Sequence, residues 1–181
     1  MSTRSLMTQT SPLPSNVTRD AAVAQLHDHA AMIRVNPLVL HFEKTTAPAQ
    51  ASKDEAEFGT WYEITDRINY LPGINGQVSY KACFYNLPNG LQTHTFAPAG
   101  LDLRGKWLVC GSMPGEPREP VELGLDAPRE GLYIKEEVDM RCNVLLTGFV
   151  KKNLRKSHAV VMSGLIERAG TGPLEEEDSN A

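Results

Sequence analysis

The sequence predicts an α+β domain in which a curved antiparallel sheet of about seven strands is closed by one long C-terminal helix around an apolar cavity. Three observations lead to this fold class. A strand and a short helical stretch come first, a run of alternating segments separated by turn residues follows, and one long helical segment comes last. Strands in a run with helices on either side are typical of α+β domains rather than doubly wound sheets. One helix covers only part of a bent sheet, so we expect an apolar space between them.

The N-terminal third predicts a strand over residues 5–12, a helical stretch and a second strand over 38–44. The helical stretch carries Ala22, Leu26, Ala30 and Ile33 at helical spacing, which gives it one apolar stripe. Asn36 and Pro37 end it, because the residue before a proline avoids the α region. Residues 46–57 show no apolar periodicity and predict a surface loop.

The middle of the chain predicts a meander of antiparallel strands. Polar and apolar residues alternate, and the Pro88-Asn89-Gly90 sequence is a strong hairpin signal. Proline and glycine are also frequent in residues 112–130, a loop long enough to suggest a role of its own. The predicted strands cover residues 58–67, 77–85, 91–97, 101–110 and 131–142.

The C-terminal segment predicts the longest helix, with Asn143 as its cap. One face is apolar and is expected to close the sheet, while lysines and arginines hold the opposite face. The apolar face consists of Leu146, Val150, Leu154, Val161 and Leu165, with Phe149, His158 and Met162 beside them. We expect residues 1–169 to form the domain and the acidic residues 170–181 to form a disordered tail.

Composition excludes several classes of function. The apolar and charged fractions of 41% and 22% are those of a globular protein, and the net charge of −4 gives no general attraction for nucleic acid or anionic lipid. Three widely spaced cysteines without a C-x-x-C pair indicate free thiols in a reducing compartment. No segment has the length and hydropathy of a signal peptide or a membrane span. We therefore expect a soluble cytoplasmic protein without nucleic-acid partners, integral membrane contact, metal or other cofactor.

The order of elements, from about residue 4 to residue 169, resembles the helix-grip fold of the START-like superfamily. That superfamily includes lipid-transfer domains, plant hormone-binding proteins and bacterial aromatic polyketide cyclases. The stretches 27–29, 65–67, 91–94, 97–102 and 137–143 (HDH, TDR, LQTH, APAGLD and EVDMRCN) are similar to those of a group of small fungal proteins without assigned activity. The resemblance implies a cavity for a hydrophobic small molecule and names no reaction.

Strand alternation predicts which side chains face the cavity. Glu136 interrupts the apolar face of the last strand, so it must be paired, hydrated or kept neutral there, and it is a candidate general acid or base. The structural alternatives are a bulge after Lys135 that turns it to solvent, or a pair with a neighbouring arginine. Phe96 sets the parity of residues 91–97 and thereby places His94 in the cavity as a second candidate, with a satisfied core histidine as the alternative. The predicted walls are Tyr62, Tyr80, Phe84, Phe96, Trp107 and Met140.

Two hypotheses of function follow. The first is a cofactor-independent enzyme of secondary metabolism that promotes cyclisation (including pericyclic closure), dehydration or isomerisation of a polyketide- or terpenoid-like substrate. The second is a carrier that binds a lipid or another hydrophobic molecule without changing it. A weaker third hypothesis is a protein-interaction module that uses the 112–130 loop. The first is favoured because polar residues are predicted on the cavity side of several strands.

Overall fold

The computed structural model describes residues 2–71, 74–120 and 124–171. Seven antiparallel strands of this described part form one sheet in the order β1-β7-β6-β5-β4-β3-β2, so consecutive strands pair except where β1 joins β7. Their bounds are β1 Ser2–Pro12, β2 Val39–Thr45, β3 Thr60–Leu71, β4 Ile74–Leu87, β5 Gly90–Ala97, β6 Leu101–Ser112 and β7 Gly131–Asn143. The predicted fold class is confirmed, and every strand except β2 is longer than the sequence pattern indicated.

Four α-helices surround the sheet within the described residues: α1 Arg19–His27, α2 His29–Arg34, α3 Lys53–Phe58 and α4 Thr147–Thr171. The predicted single helical stretch is two helices, because Asp28 leaves the helical conformation and caps the next helix by accepting a hydrogen bond from the Ala31 amide at 2.9 Å. The predicted stripe still serves as one face, since Leu26 and Ile33 are buried in the core. α4 continues through Gly170, which was predicted to end it, and the predicted tail from residue 172 lies outside the described residues.

The prediction that residues 46–57 are all loop is wrong, because α3 begins at residue 53. Its start is a capping box. The Ser52 hydroxyl accepts from the Glu55 amide at 3.3 Å, and the Glu55 carboxylate accepts from the Ser52 amide at 3.1 Å. The sequence Ser-Lys-Asp-Glu at residues 52–55 matches the capping-box motif. α3 packs on the outer, convex face of the sheet, where the Trp61 indole N–H donates to the Glu55 carbonyl at 2.9 Å.

The main core lies on the concave face between the sheet, α1, α2 and the C-terminal half of α4. Val161 and Met162 of α4 are buried in it, and Phe149, predicted beside the apolar face, is exposed. A smaller cluster of Val138, Met140 and Cys142 packs against Val150 and Leu154. Burying the apolar stripe of α4 is therefore what closes the sheet, as the sequence predicts. No helix among the described residues is long and apolar enough to cross a membrane.

The loop after β6 is tied to the body of the domain at the positions that the structure describes. Arg19 bonds the Gly111 carbonyl and the Glu116 carboxylate, both at 2.8 Å, and the Thr10 hydroxyl donates to the Leu125 carbonyl at 3.0 Å. Residues 121–123 lie outside the described part. These contacts hold the loop along β1 and the end of β6.

Candidate functional site

A cavity of about 170 Å³ lies between the concave face of the sheet, α2 and α4. It exists because the middle of the sheet carries small side chains: Ala82, Thr93, Thr95 and Gly105 form its floor. A Cβ atom at Gly105 would meet the Thr93 hydroxyl oxygen at 2.7 Å, so a larger residue there would force the Thr93 side chain to shift. Leu154, Ser157 and Val161 of α4 form the roof. A cavity of roughly 150 Å³ holds one benzene ring, so this conformation has room for a compact, single-ring molecule.

The wall of the cavity is mostly apolar, although Thr93, Thr95 and Ser157 bring hydroxyl groups to its floor and roof, and one end carries Glu136. This residue is 3% exposed and faces the concave side, as the alternation of β7 predicted. Its Oε2 atom lies 2.5 Å from Nδ1 of His158, which reaches across from α4 and is 7% exposed. Of the environments expected for a carboxylate there, the structure shows the paired one. Glu136 and His158 are called the buried dyad below.

Three neighbours hold the buried dyad in place. The Gln9 amide donates to Glu136 Oε2 at 3.4 Å, and the Ser11 hydroxyl lies 2.9 Å from His158 Nε2. The Trp107 ring stacks on the imidazole with a centroid distance of 5.5 Å and an interplanar angle of 17°. Because Gln9 and Ser11 are alternate residues of β1, the same face of the edge strand contacts both members of the dyad.

The other polar end of the cavity is built around Asp66. Its Oδ2 atom accepts from the Tyr80 hydroxyl at 3.0 Å and from the Asn36 amide at 2.9 Å, while its Oδ1 atom is buried without a hydrogen-bond partner. Tyr80 and Asn36 line the cavity. Burial raises the pKa of Asp66, although its two hydrogen bonds act against the shift, and burial together with the nearby carboxylate raises the pKa of Tyr80. The surroundings of Asp66 therefore favour its protonated form more than water does.

The predicted wall residues fall into three groups. Tyr80, Phe84 and Trp107 line the cavity. Tyr62 and Met140 face the concave side but are packed into the two core clusters, outside the cavity lining. Phe96 lies on the opposite face, stacked on Trp61 with a centroid distance of 6.0 Å.

The prediction that His94 faces the cavity is wrong. In the register of β5, Leu91, Thr93 and Thr95 face the concave side, so His94 and Phe96 face outward. His94 is 3% exposed beneath α3, with Nδ1 2.6 Å from Glu55 and Nε2 3.0 Å from Asp102. Burial alone would raise the pKa of Glu55, but hydrogen bonds from His94 and Ser52 bring it below its usual value. The contacts of His94 thus fit the alternative of a satisfied structural histidine.

The remaining histidines and the cysteines add no further site on the evidence of their contacts. His27 bonds the Leu87 and Gly90 carbonyls at the end of the β4–β5 hairpin, and His29 bonds Asn86 at 2.8 Å. Among the described residues, no three histidine, cysteine or acidic side chains are grouped as a metal site would require. Burial raises the pKa of Cys83 to about 11, which makes its thiol a poor nucleophile.

Sequence reasoning missed the role of His158 and its neighbours on β1. The signal was present, because His158 follows Leu154 by four residues and precedes Val161 by three, which places it on the buried stripe of α4. A histidine on that stripe, opposite a strand with one inward carboxylate, indicates a buried pair. Gln9 and Ser11 could be placed only once β1 was known to pair with β7.

Two wider grooves, of about 530 and 430 Å³, lie on the outer face of the sheet. Charged and polar side chains supply much of their lining, including Glu63, Lys81 and Asp102 in the first and Asp54 and Glu55 in the second. A hydrophobic small molecule gains more from the apolar cavity on the concave face, so we take that cavity as the candidate site.

Solved structures with the same fold include enzymes of small-molecule biosynthesis. The di-domain aromatase/cyclase BexL superposes with a TM-score of 0.59 at 12% identity, covering 92% of this chain and 50% of that one. The Zhui aromatase/cyclase of a Streptomyces species gives 0.57 at 10% identity, covering 96% and 100%. Norcoclaurine synthase of Thalictrum flavum, solved with dopamine and hydroxybenzaldehyde, gives 0.51 at 11% identity, covering 92% and 88%. This chain spans about half the length of the di-domain cyclases, and at such identities the likeness shows the helix-grip fold alone.

The sequence itself places the chain in a family without assigned activity. No curated protein matches it at a significant level. The family model of a domain of unknown function, DUF7053, matches residues 2–171, which include every strand and helix described above. The chain therefore belongs to the DUF7053 family, and its fold is that of the helix-grip proteins.

Proposed function

We propose that this protein binds a compact hydrophobic molecule in the cavity and promotes its cyclisation, dehydration or isomerisation without a cofactor. The observation that carries the proposal is Glu136, a carboxylate set into a mostly apolar cavity wall and oriented by His158 from the closing helix. An apolar enclosure positions a flexible chain for ring closure, and a fixed acid–base group there moves the proton.

The two polar ends of the cavity suggest a division of labour. Glu136, whose partner His158 can hold or return a proton, would take a proton from a carbon next to a carbonyl. Tyr80 and Asn36, which line the other end and bond Asp66, would bind a hydroxyl or an enolic oxygen there. Since the volume fits one ring, the proposed substrate is a short polyketide- or terpenoid-like chain. The proposal includes three predictions: that the reaction needs no cofactor, that the protein is cytoplasmic, and that its nearer relatives are small fungal proteins.

The solved neighbours support the type of reaction without deciding it. Two of them are aromatase/cyclases by name, and a third, norcoclaurine synthase, was solved with two aromatic molecules. The alternative of a non-catalytic carrier draws on one specific observation: Glu136 is already paired with His158, as a purely structural carboxylate would be.

A short poly-β-ketone thioester that closes to a single ring is the test substrate that distinguishes an enzyme from a carrier. Such chains cyclise slowly in buffer to a mixture, so the readout is the product distribution by liquid chromatography and mass spectrometry. We expect the protein to direct closure to one product. Glu136→Gln should lower the rate by at least about 100-fold, the usual size of an acid–base contribution. Binding of the thioester with an unchanged product mixture would instead identify a carrier.

Two tryptophan substitutions on β4, one on each face of the strand, test whether the cavity is the site. Ala82→Trp fills the cavity from β4 and should abolish both binding and closure. Tyr85→Trp adds an indole on the outer face of the same strand, where the side chain is 39% exposed, and should change neither. Full activity in Ala82→Trp would show that the cavity is not the site.

A further inference from the structure

The contacts of Ser11 place a hydroxyl, an imidazole and a carboxylate in one hydrogen-bonded line. Ser11 Oγ lies 2.9 Å from Nε2 of His158, and Nδ1 of the same ring lies 2.5 Å from Glu136 Oε2. The three side chains come from β1, α4 and β7, which are far apart in the sequence. An imidazole that bonds a carboxylate through Nδ1 and a serine through Nε2 has the arrangement that activates a serine nucleophile.

The proton positions follow from the partners. An ionised carboxylate only accepts, so the bond to Glu136 places a proton on Nδ1 of His158. In the neutral ring Nε2 then carries a lone pair, and the Ser11 hydroxyl donates to it. This tautomer is the one in which the imidazole takes the hydroxyl proton as the oxygen attacks.

The surroundings fix the base and leave the hydroxyl more accessible. Glu136 and His158 are 3% and 7% exposed, and Trp107 stacks on the imidazole. Ser11 lies on the edge strand and is only partly buried. A small reagent therefore meets the serine first, with its base already oriented behind it.

We propose that Ser11 is a nucleophile towards activated acyl groups, giving the protein an acyl-transfer or esterase activity. Ser11 Oγ forms a bond to the carbonyl carbon of an ester or thioester, and its proton passes to Nε2 of His158. The bond from that carbon to the leaving oxygen or sulfur then breaks, and the leaving group takes the proton from His158. Water, deprotonated by the same nitrogen, releases the acid and restores Ser11.

This activity uses the buried dyad but needs no ligand in the cavity. It can therefore be tested independently of the proposed function. Acetylation of Ser11 together with an unchanged poly-β-ketone product mixture would keep this activity and refute the proposed function. Directed closure of the poly-β-ketone without acetylation of Ser11 would do the reverse.

The first test uses p-nitrophenyl acetate, with intact-mass and peptide mass spectrometry to locate the acetyl group. We expect rapid single acetylation at Ser11 and none at that site in Ser11→Ala. His158→Gln and Glu136→Gln should slow it by at least about 100-fold. Ser5→Ala, a serine on the same face of β1 opposite Met140, should behave like the unmodified protein. Acetylation spread over surface lysines and equal in Ser11→Ala would overturn the proposal.

A second test examines the base without needing turnover. In Ser11→Cys the new thiol lies beside His158 and should react with iodoacetamide at neutral pH at least about tenfold faster than the thiol of Ser5→Cys. Adding His158→Gln to Ser11→Cys should remove the difference, and equal rates in the two single variants would contradict activation of residue 11. Reaction is followed peptide by peptide, because Cys83, Cys110 and Cys142 are also free thiols.

Discussion

The buried dyad makes a strong prediction about stability. In His158→Leu the carboxylate of Glu136 loses its 2.5 Å partner while it stays 3% exposed. Removing the partner of a buried carboxylate costs about 3–5 kcal/mol, because the remaining charge is left uncompensated. For a domain of this size that corresponds to a fall in melting temperature on the order of 10 °C.

The double variant Glu136→Leu/His158→Leu shows how much of this loss of stability comes from the uncompensated carboxylate. Glu136→Leu alone leaves an uncharged imidazole with one lost hydrogen bond, a cost of about 1–3 kcal/mol. Replacing both members by leucine leaves an apolar contact of similar volume, and such exchanges are often neutral or stabilising. We therefore expect the double variant to be more stable than His158→Leu, with a large coupling energy between the two sites.

Urea unfolding at 25 °C, followed by circular dichroism and tryptophan fluorescence, measures all four proteins. The m-value should stay constant, so that changes in midpoint report stability alone. A control cycle on Arg4 and Asp139, an ion pair at 2.7 Å on the surface, should be nearly additive. Additive effects at Glu136 and His158, or a double variant less stable than both singles, would refute the assignment of an energetically coupled buried dyad.

Three further predictions concern the rest of the fold. Burial raises the pKa of Asp66, so protonated Asp66 contributes its full stability below the pKa of an unfolded aspartate, and this contribution is lost as the pH rises through the pKa of the folded state. Asp66→Asn should reduce the dependence of the melting temperature on pH, which is measured from melting curves at a series of pH values. His94→Ala should lower stability by about 1.5–3 kcal/mol, because Glu55 and Asp102 lose a hydrogen-bond partner. It should leave closure of the poly-β-ketone probe unchanged, whereas a loss of closure would return His94 to the site. A chain that ends at Asn143 lacks α4 and should not unfold cooperatively, whereas removal of residues 173–181 should change stability by less than about 0.5 kcal/mol.

Alternation predicted β7 correctly and failed for β5, and the reason is physical. In β7 five apolar residues share the concave face, so the parity of Glu136 follows from all of them. In β5 the concave positions are Leu91, Thr93 and Thr95, and the only large aromatic residue, Phe96, is outward. Both faces of this strand are covered, the outer one by α3. Alternation then carries no information about which face is the core.

The helices show the same dependence on tertiary context. The apolar stripe of α4 was visible as a 3.6-residue period, and the closure of the sheet followed from it. α3 has no buried residue, so it left no apolar period, and only its capping box marked it. The buried dyad joins a helix to a strand, and its neighbours Gln9 and Ser11 depend on the pairing of β1 with β7. Such contacts between distant segments cannot be read from local patterns.

Titration with an environment-sensitive hydrophobic dye tests most directly whether the space between α4 and the concave face is a binding site. We expect saturable binding to one site in the folded protein and in Tyr85→Trp, and none in Ala82→Trp, whose indole occupies the space above Thr93 and Thr95. Both variants must first show cooperative unfolding, so that a loss of binding reports the cavity. Binding that survives Ala82→Trp unchanged, or that disappears in Tyr85→Trp, would contradict the account and place the ligand in the outer grooves.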